Sequence, residues 1–175
     1  METKFVNFFK YLEDKGEQKI PLKIKFLNPK QFELTPEDLN IKGDIDLTFT
    51  PITSLPDNLK VGRYLNLRDT PITSLPDGLE VRNDLDLKNT EITSLPKNLK
   101  VGGNLNLYNV PITSLPNGLK VGGYLNLYNT SITSLPDDLE VSRHIDLGST
   151  PLSSKTEAEI RQMAPNIKGD IYGLN

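Results

Sequence analysis

Several residue types are missing or scarce in this chain. Its 175 residues include no cysteine, no tryptophan and a single histidine. Without cysteine the chain can form no disulfide, thiolate metal site or cysteine nucleophile. No apolar run approaches the ~20 residues of a membrane span, and residues 1–18 carry charges throughout, so we expect neither a membrane span nor a signal peptide. These absences favour a soluble, cytoplasmic monomer.

The chain also lacks a large excess of either positive or negative charge. Lys plus Arg number 20 and Asp plus Glu number 23, which gives a formal net charge of -3. Nucleic acids and anionic membranes are bound through clustered positive charge. The overall balance therefore gives no electrostatic case for either partner.

One segment of 20 residues is repeated six times between Gln31 and Thr150. The clearest copy, at 111–130, reads PITSLPNGLKVGGYLNLYNT, and a degenerate first copy begins at Gln31 in the same phase. A fixed period of this length is typical of a solenoid. We therefore predict a single domain, 1–175, with an N-terminal cap (1–30), six repeats (31–150) and a C-terminal cap (151–175).

The invariant letters of the repeat predict its core, its strand and its turn. In the copy at 51–70 the apolar positions are Ile52, Leu55, Leu59, Val61, Leu65 and Leu67. The L-x-L unit is a strand by alternation, with both leucines buried and their neighbours exposed, and successive coils place such strands in a parallel sheet. The step LP-D-N or LP-D-G predicts a turn, because Pro presets φ and Asn or Gly tolerates a left-handed backbone.

The repeat resembles that of the leucine-rich repeat family. The matching pattern, L-x-L-x-x-T-x-I-x-x-L-P, is carried by Leu65, Leu67, Thr70, Ile72, Leu75 and Pro76. It is similar to the short repeats of some secreted bacterial effectors and of bacteriophage and bacterial proteins of unassigned role. The resemblance implies a right-handed solenoid, mainly β with terminal helices, built on one parallel β-sheet. The cysteine-dependent ligase domain of the effectors is absent.

One departure from the family concerns its ladder of asparagines. In this chain Thr takes that position in five copies and Val110 in the sixth. A Thr hydroxyl can bond backbone groups of the next coil, whereas Val110 cannot. We therefore expect the ladder to be interrupted at Val110.

Both ends of the repeat array look capped. Apolar residues at helical spacing predict a helix over 2–15, and alternation predicts a half-buried strand over 19–27 with Lys19, Lys23 and Lys25 facing solvent. At the other end, Ser154 and Glu157 form a capping-box pattern that predicts a helix to about Ala164. Residues 166–171 then repeat 40–45 letter for letter and predict a closing strand. Two caps would make this a complete protein.

The exposed face of the predicted sheet offers three columns of side chains, one residue per copy. The central column is Asp46, Asn66, Asp86, Asn106, Asn126 and Asp146. The column before it is Asp44, Tyr64, Asp84, Asn104, Tyr124 and His144. The column after it is Thr48, Arg68, Lys88, Tyr108, Tyr128 and Gly148. The central column is most simply a stack of amides and carboxylates that bond along the sheet.

The flanking columns point to binding. Four of the six tyrosines fall on them, and exposed tyrosine is enriched at binding surfaces. Arg68 and Lys88 are expected beside Asp84 and Asp86, which gives a charged patch next to the aromatic one. The candidate partner-binding residues are Tyr64, Asn66, Arg68, Asp84, Asp86, Lys88, Asn106, Tyr108, Tyr124, Asn126, Tyr128 and His144.

Other chemistry has weaker support. The pairs Asp84/Asp86 and Asp44/Asp46 could serve a hydrolase or bind calcium, but only if they line a closed pocket. His144 has no nucleophile beside it in sequence. Lys60, Glu80, Lys100, Lys120 and Glu140 form one exposed charge ladder. We expect no enzyme, no cofactor and no metal.

The leading hypothesis is thus a non-catalytic module that binds one protein partner through the sheet face and acts by steric occlusion. By analogy with the family, it would be an inhibitor that a phage or bacterium produces against a protein of its host. Two alternatives stay open. One is carbohydrate binding, since tyrosines stack on sugar rings and Asn and Asp suit hydroxyl groups. The other is a structural spacer without a ligand.

Overall fold

The computed structural model describes residues 22–27 and 34–175, and the repeats within it form a solenoid of stacked coils. Each coil contributes two parallel strands of two residues, and every residue pairs with the residue one coil away, as Leu65 pairs with Leu85. The fold class predicted from the period is confirmed. The predicted helix over 2–15 lies outside the described residues.

The strands assemble into two sheets, whereas the sequence predicted one. The six-stranded sheet contains β1 (Asn40–Ile41), β3 (Lys60–Val61), β5 (Glu80–Val81), β7 (Lys100–Val101), β9 (Lys120–Val121) and β11 (Glu140–Val141). The seven-stranded sheet contains β2 (Ile45–Asp46), β4 (Leu65–Asn66), β6 (Leu85–Asp86), β8 (Leu105–Asn106), β10 (Leu125–Asn126), β12 (Ile145–Asp146) and β13 (Ile171–Tyr172). The six-stranded sheet escaped prediction because the sequence analysis assigned a strand only to the L-x-L unit. The equally short L-x-V unit, as in Leu59, Lys60 and Val61, also alternates between buried and exposed.

The core consists of the apolar letters of the repeat. Leu47, Leu67, Leu87, Leu107, Leu127 and Leu147 are fully buried, and in the five copies over 51–150 the other predicted apolar positions are at most 8% exposed. In the first coil Leu39 and Ile41 are half-buried. One coil cannot exclude water from these side chains, but its two neighbours cover them on either side. The predicted core is therefore the observed one.

The turn after the LP step follows the prediction in part. Asn58, Gly78 and Gly118 have positive φ angles of 59°, 71° and 74°. In two other coils the turn closes differently, because Leu99 and Leu139 donate backbone N–H bonds to the carbonyl three residues earlier, at 3.1 and 3.2 Å. The step thus adopts two turn geometries on one sequence pattern.

A second turn, which the repeat did not predict, follows each strand of the seven-stranded sheet. One residue per coil has a φ of 55–56° there, and the positions are Phe49, Asp69, Asn89, Asn109, Asn129 and Ser149. Asn and Asp enter this left-handed region more readily than other side chains. Three of the amides also bond from coil to coil, Asn89 to Asp69, Asn109 to Asn89 and Asn129 to Asn109, at 2.7–3.0 Å.

The prediction that the threonines form a hydrogen-bond ladder between coils was wrong. In five coils the Thr hydroxyl donates to the carbonyl of the leucine three residues earlier in its own coil, at 2.6–2.8 Å. Val110 is as buried as the threonines and simply lacks this bond. The coil-to-coil ladder lies one position earlier, in the asparagine column just described.

The predicted strand over 19–27 is contradicted where the structure describes it. Leu22–Leu27 forms helix α1, and Lys25, expected in solvent, is 3% exposed. Its Nζ lies 3.1 Å from the Asp38 carboxylate, which fixes the helix to the first coil. Burial opposes ionisation of that carboxyl, but hydrogen bonds from Thr35 and Lys25 outweigh it and lower the pKa of Asp38. The strand prediction failed because it assumed that Lys25, which is buried, faces solvent.

The C-terminal cap has the predicted parts with a shifted start. A 3-10 helix, Pro151–Ser154, precedes helix α2, Glu157–Met163. The capping box is formed by Thr156 and Glu159, two residues after the predicted pair, because Ser154 belongs to the 3-10 helix. Ile160 is fully buried, as expected.

The closing segment extends both sheets. Ile171–Tyr172 pairs with β12, and Ile167 forms a single bridge to Val141 of β11. The repeated hexapeptide thus enters the stack in the same register as its first copy. The Arg161 guanidinium holds it from helix α2 by donating to the carbonyls of Ile167 and Gly169, each at 3.0 Å.

Candidate functional site

The seven-stranded sheet carries the three columns of side chains on its outer face. Tyr64 and Tyr128 are 42% and 36% exposed, whereas Tyr108, Tyr124 and His144 are half-buried. The strands alternate as predicted, since the leucines on either side of the central column point into the core. The seven-stranded sheet therefore has the predicted outer face, and the side chains of its three columns form different hydrogen bonds and contacts.

The central column holds the backbone of its own coil. In all six coils the side-chain Oδ1 accepts the backbone N–H two residues later, at 2.9–3.1 Å; these acceptors are Asp46, Asn66, Asp86, Asn106, Asn126 and Asp146. A sideways bond from coil to coil occurs once among these side chains, from Asn106 to Asp86 at 3.0 Å. The column thus replaces strand pairing where each short strand ends.

The column before it bonds the next coil. Asp44, Asp84 and Asn104 each accept the backbone N–H of the following coil's residue, at 3.1, 2.7 and 2.8 Å. His144 does the same through Nδ1 for Asp170 at 3.0 Å, and its ring lies 5.3 Å from that of Tyr172. The sequence analysis missed this role, because each of these side chains bonds a residue that is adjacent only in the stacked coils and not along the chain.

The column after it forms a stacked strip, which we name the aromatic strip: Lys88, Tyr108, Tyr128 and Gly148. The two tyrosine rings are 5.3 Å apart and nearly parallel, at 4°. The Lys88 Nζ lies 4.3 Å from the centre of the Tyr108 ring, within the range of a cation–π contact. A Cβ at position 148 would lie 2.7 Å from Cδ2 of Tyr128, so glycine at this position leaves room for that ring and a larger residue would displace it.

The charged patch differs from the expected one. Arg68 pairs with its neighbour Asp69 at 2.9 Å, and Lys88 faces Tyr108. Within the described residues neither cation forms an ion pair with Asp84 or Asp86. The two carboxylates instead accept hydrogen bonds at Oδ1, Asp84 from the Asn104 backbone N–H, and Asp86 from the Lys88 backbone N–H and the Asn106 side-chain amide.

A trough runs between Tyr64 and Tyr124. The rings stand three coils apart, about 14 Å at the usual strand spacing. The trough has a volume of about 390 Å³ and is lined chiefly by Asn66, Asp84, Asp86, Asn104, Asn106 and Asn126. Tyr124 is held in place, since its hydroxyl donates to Asp146 at 3.2 Å and burial together with that carboxylate raises its pKa above the ordinary value.

The paired carboxylates therefore lie on an open trough and not in a closed pocket. Asp84 and Asp86 line it together, whereas Asp44 and Asp46 do not reach it. In residues 22–27 and 34–175 no group of three or more His, Asp or Glu side chains is placed to hold a metal ion. The geometry gives no support to hydrolysis by a carboxylate pair, which relies on a desolvated acid.

Comparison with known proteins gives no assignment. No protein-family model matches the chain, and no curated protein matches it at a significant level. Across the described part of the chain, no helix is long and apolar enough to cross a bilayer.

Proposed function

We propose that the protein is a non-catalytic binding module that engages one protein partner through the outer face of its seven-stranded sheet. The aromatic strip carries this proposal. It presents two stacked tyrosine rings on a rigid sheet, with a cation at one end and a glycine at the other. Aromatic anchors on rigid scaffolds bury much apolar area at a low cost in conformational entropy.

The contacts described above divide the candidate residues by role. Tyr64 and Tyr128 offer exposed rings to a partner, and the half-buried Tyr108 and Lys88 offer the accessible part of their side chains. The central column and Asp84 hold the backbone, and Tyr124 is bound to Asp146. These latter residues set the shape of the face, so we assign them positioning roles and assign the contact to the former.

The proposed mechanism is steric. The resemblance to leucine-rich repeats of bacterial effectors and phage proteins favours a host-directed inhibitor that occludes its target's surface. Such an inhibitor gains from a scaffold that does not reorganise on binding, since less ordering entropy opposes the complex. A solenoid held by two sheets and by side-chain ladders meets this requirement.

The test is affinity capture from extracts of the native host. We compare the wild type with the triple variant Tyr64→Ser/Tyr108→Ser/Tyr128→Ser, quantify bound proteins by mass spectrometry, and measure the purified pair by calorimetry. The wild type should retain one protein near stoichiometry. Loss of the two stacked anchors should weaken binding by about 2 kcal/mol or more each.

The matched control is Phe49→Ser, which removes an exposed ring outside the three columns. It should retain the partner at wild-type affinity. Equal binding by the triple variant, or no protein enriched over empty beads, would contradict the proposal.

The trough supports one second candidate, carbohydrate binding. Its walls are the Tyr64 and Tyr124 rings, and its floor is formed by amides and carboxylates that suit sugar hydroxyls. A glycan array with a specific ligand, whose binding is lost in Asp84→Asn/Asp86→Asn but unchanged in Tyr108→Ser/Tyr128→Ser, would favour this function over protein binding.

A further inference from the structure

The six-stranded sheet presents a second surface of different charge. Its outer side carries five cations, which we name the basic strip: Lys42, Lys60, Arg82, Lys100 and Lys120. Two carboxylates, Glu80 and Glu140, stand among them, and Glu140 pairs with Lys120 at 2.7 Å. The first four cations line a groove of about 640 Å³ whose only carboxylate, among the residues that the structure describes, is Glu80. In a chain with a net charge of -3, this is a concentration of positive charge against the overall balance.

Part of this charge has no partner. Glu80 lies between Lys60 and Lys100, at 3.6 and 2.8 Å, and the hydrogen bond from Lys100 lowers its pKa. The side chains of Lys42 and Arg82 form no hydrogen bond or ion pair to any residue in the described part of the chain. Both side chains are exposed, and they stand two coils apart on the same column of the sheet.

Two glycines without side chains form part of the floor of this groove. Gly62 and Gly102 alternate with Lys42 and Arg82 along the column. A Cβ on Gly62 would lie 2.5 Å from the Lys42 carbonyl oxygen, and one on Gly102 would overlap the Arg82 carbonyl oxygen. The tight stacking of the coils thus demands glycine at these positions, and it leaves an open path along the backbone between the two cations.

Carboxylates border the basic strip on both sides. Asp57 and Asp77 stand in the turn column on one side, where Lys97 follows them in the next coil. Asp44, paired with Arg63 at 3.5 Å, and Asp84 stand in the first column of the seven-stranded sheet on the other side. A broad anionic surface, such as a duplex or a membrane, would meet these carboxylates and be repelled. A single narrow chain would lie between them.

We propose that the basic strip binds an extended acidic segment of a protein, at a surface separate from the aromatic strip. The cations span five coils, or about 19 Å at ~4.8 Å per coil, which corresponds to about six residues of extended chain. Within the described residues no aromatic side chain lines the groove, so it offers no platform for stacking nucleic-acid bases. The occupant is therefore recognised by its carboxylates and its narrow backbone.

The experiment measures binding of a fluorescein-labelled peptide of eight glutamates to the full chain by anisotropy. Binding should weaken steeply between about 0.05 and 0.5 M salt, as expected for exposed ion pairs. The variant Lys42→Gln/Arg82→Gln should weaken it by about tenfold or more. An oligothymidylate and heparin serve as competing anions of other classes.

The matched control is Arg68→Gln/Lys155→Gln, which removes the same charge from the other sheet and from the cap. It should bind the peptide as the wild type does. Equal weakening in both variants, or tighter binding of oligothymidylate or heparin than of the peptide, would overturn the proposal. Because the aromatic strip is intact in Lys42→Gln/Arg82→Gln, capture of a host partner by that variant reports on the proposed function alone.

Discussion

In every coil from the first to the sixth, the residue three positions after each strand of the seven-stranded sheet adopts a left-handed backbone. Four of the six positions hold Asn or Asp, which enter that region with little strain. The other two are Ser149 and Phe49, and Phe49 is the bulky one, with a φ of 55° and a ring that is 74% exposed. A bulky side chain in this region is strained and gains little from burial here.

Substitution of Phe49 by Asn should therefore stabilise the protein by about 1 kcal/mol, because the strain of the left-handed backbone is relieved. Urea unfolding followed by circular dichroism measures the change. The control is Asn109→Phe, which puts a bulky residue into the same conformation and breaks two ladder bonds, so it should destabilise. A loss of stability in Phe49→Asn would show that the ring makes a contact of its own.

Some residue roles were readable from the sequence and others were not. The buried leucines were, because burial follows from period and hydropathy alone. The roles of Asn66 and Asp84 were not, because each side chain bonds a backbone N–H whose position depends on where a strand ends or how coils align. Asn89 was missed for the same reason, although its column is visible once the copies are aligned.

At the scale of elements, the start of the C-terminal helix shows what a local sequence motif can predict and what it cannot. Helix α2 follows a T-x-x-E pattern that overlaps the S-x-x-E pattern two residues earlier, and both satisfy the capping-box rule. The 3-10 helix Pro151–Ser154 decides between them, since Thr150 caps it and its own Leu152 is buried in the core. A local motif thus predicted the helix, but tertiary packing set its first residue.

The position of this cap gives a direct test. Thr156→Ala should cost about 1 kcal/mol, because it removes the hydroxyl that accepts the Glu159 N–H. Ser154→Ala should change stability by less than about 0.5 kcal/mol, as is usual for an exposed substitution. Thermal unfolding of both variants beside the wild type measures the difference, and the reverse ranking would contradict the observed start of the helix.

For the whole molecule, stability is expected to be a sum over coils. Each coil pairs only with its neighbours, and within the six repeats the register advances by 20 residues at every step. Removing one complete coil therefore leaves the remaining interfaces intact. Removing part of a coil would place buried leucines opposite exposed positions.

Deletion of 91–110 should thus fold and unfold cooperatively, with a loss of about 1–3 kcal/mol for the missing residues. Deletion of 91–100 should lose the cooperative transition. Circular dichroism and denaturant titration distinguish the two. If the longer deletion failed to fold while the shorter one folded, the coils would not be the independent units that the register implies.

The period predicted the solenoid as a whole, but it could not predict the arrangement of its charges. Net charge is a property of the entire chain, whereas the basic strip arises because Lys42, Arg82 and Lys100 fall on two exposed columns of one sheet. That sheet itself was not foreseen. Surface chemistry in a repeat protein therefore becomes visible only when each column is assigned to a face.

The asparagine ladder has a polarity. Every amide donates toward the N-terminal end of the solenoid, from Asn129 through Asn109 and Asn89, so the partial dipoles add along the axis. The row ends on the carboxylate of Asp69, whose pKa is lowered first of all by the bond from Asn89. A negative charge thus terminates the positive end of an aligned row of amides, as an acidic residue does at the start of a helix.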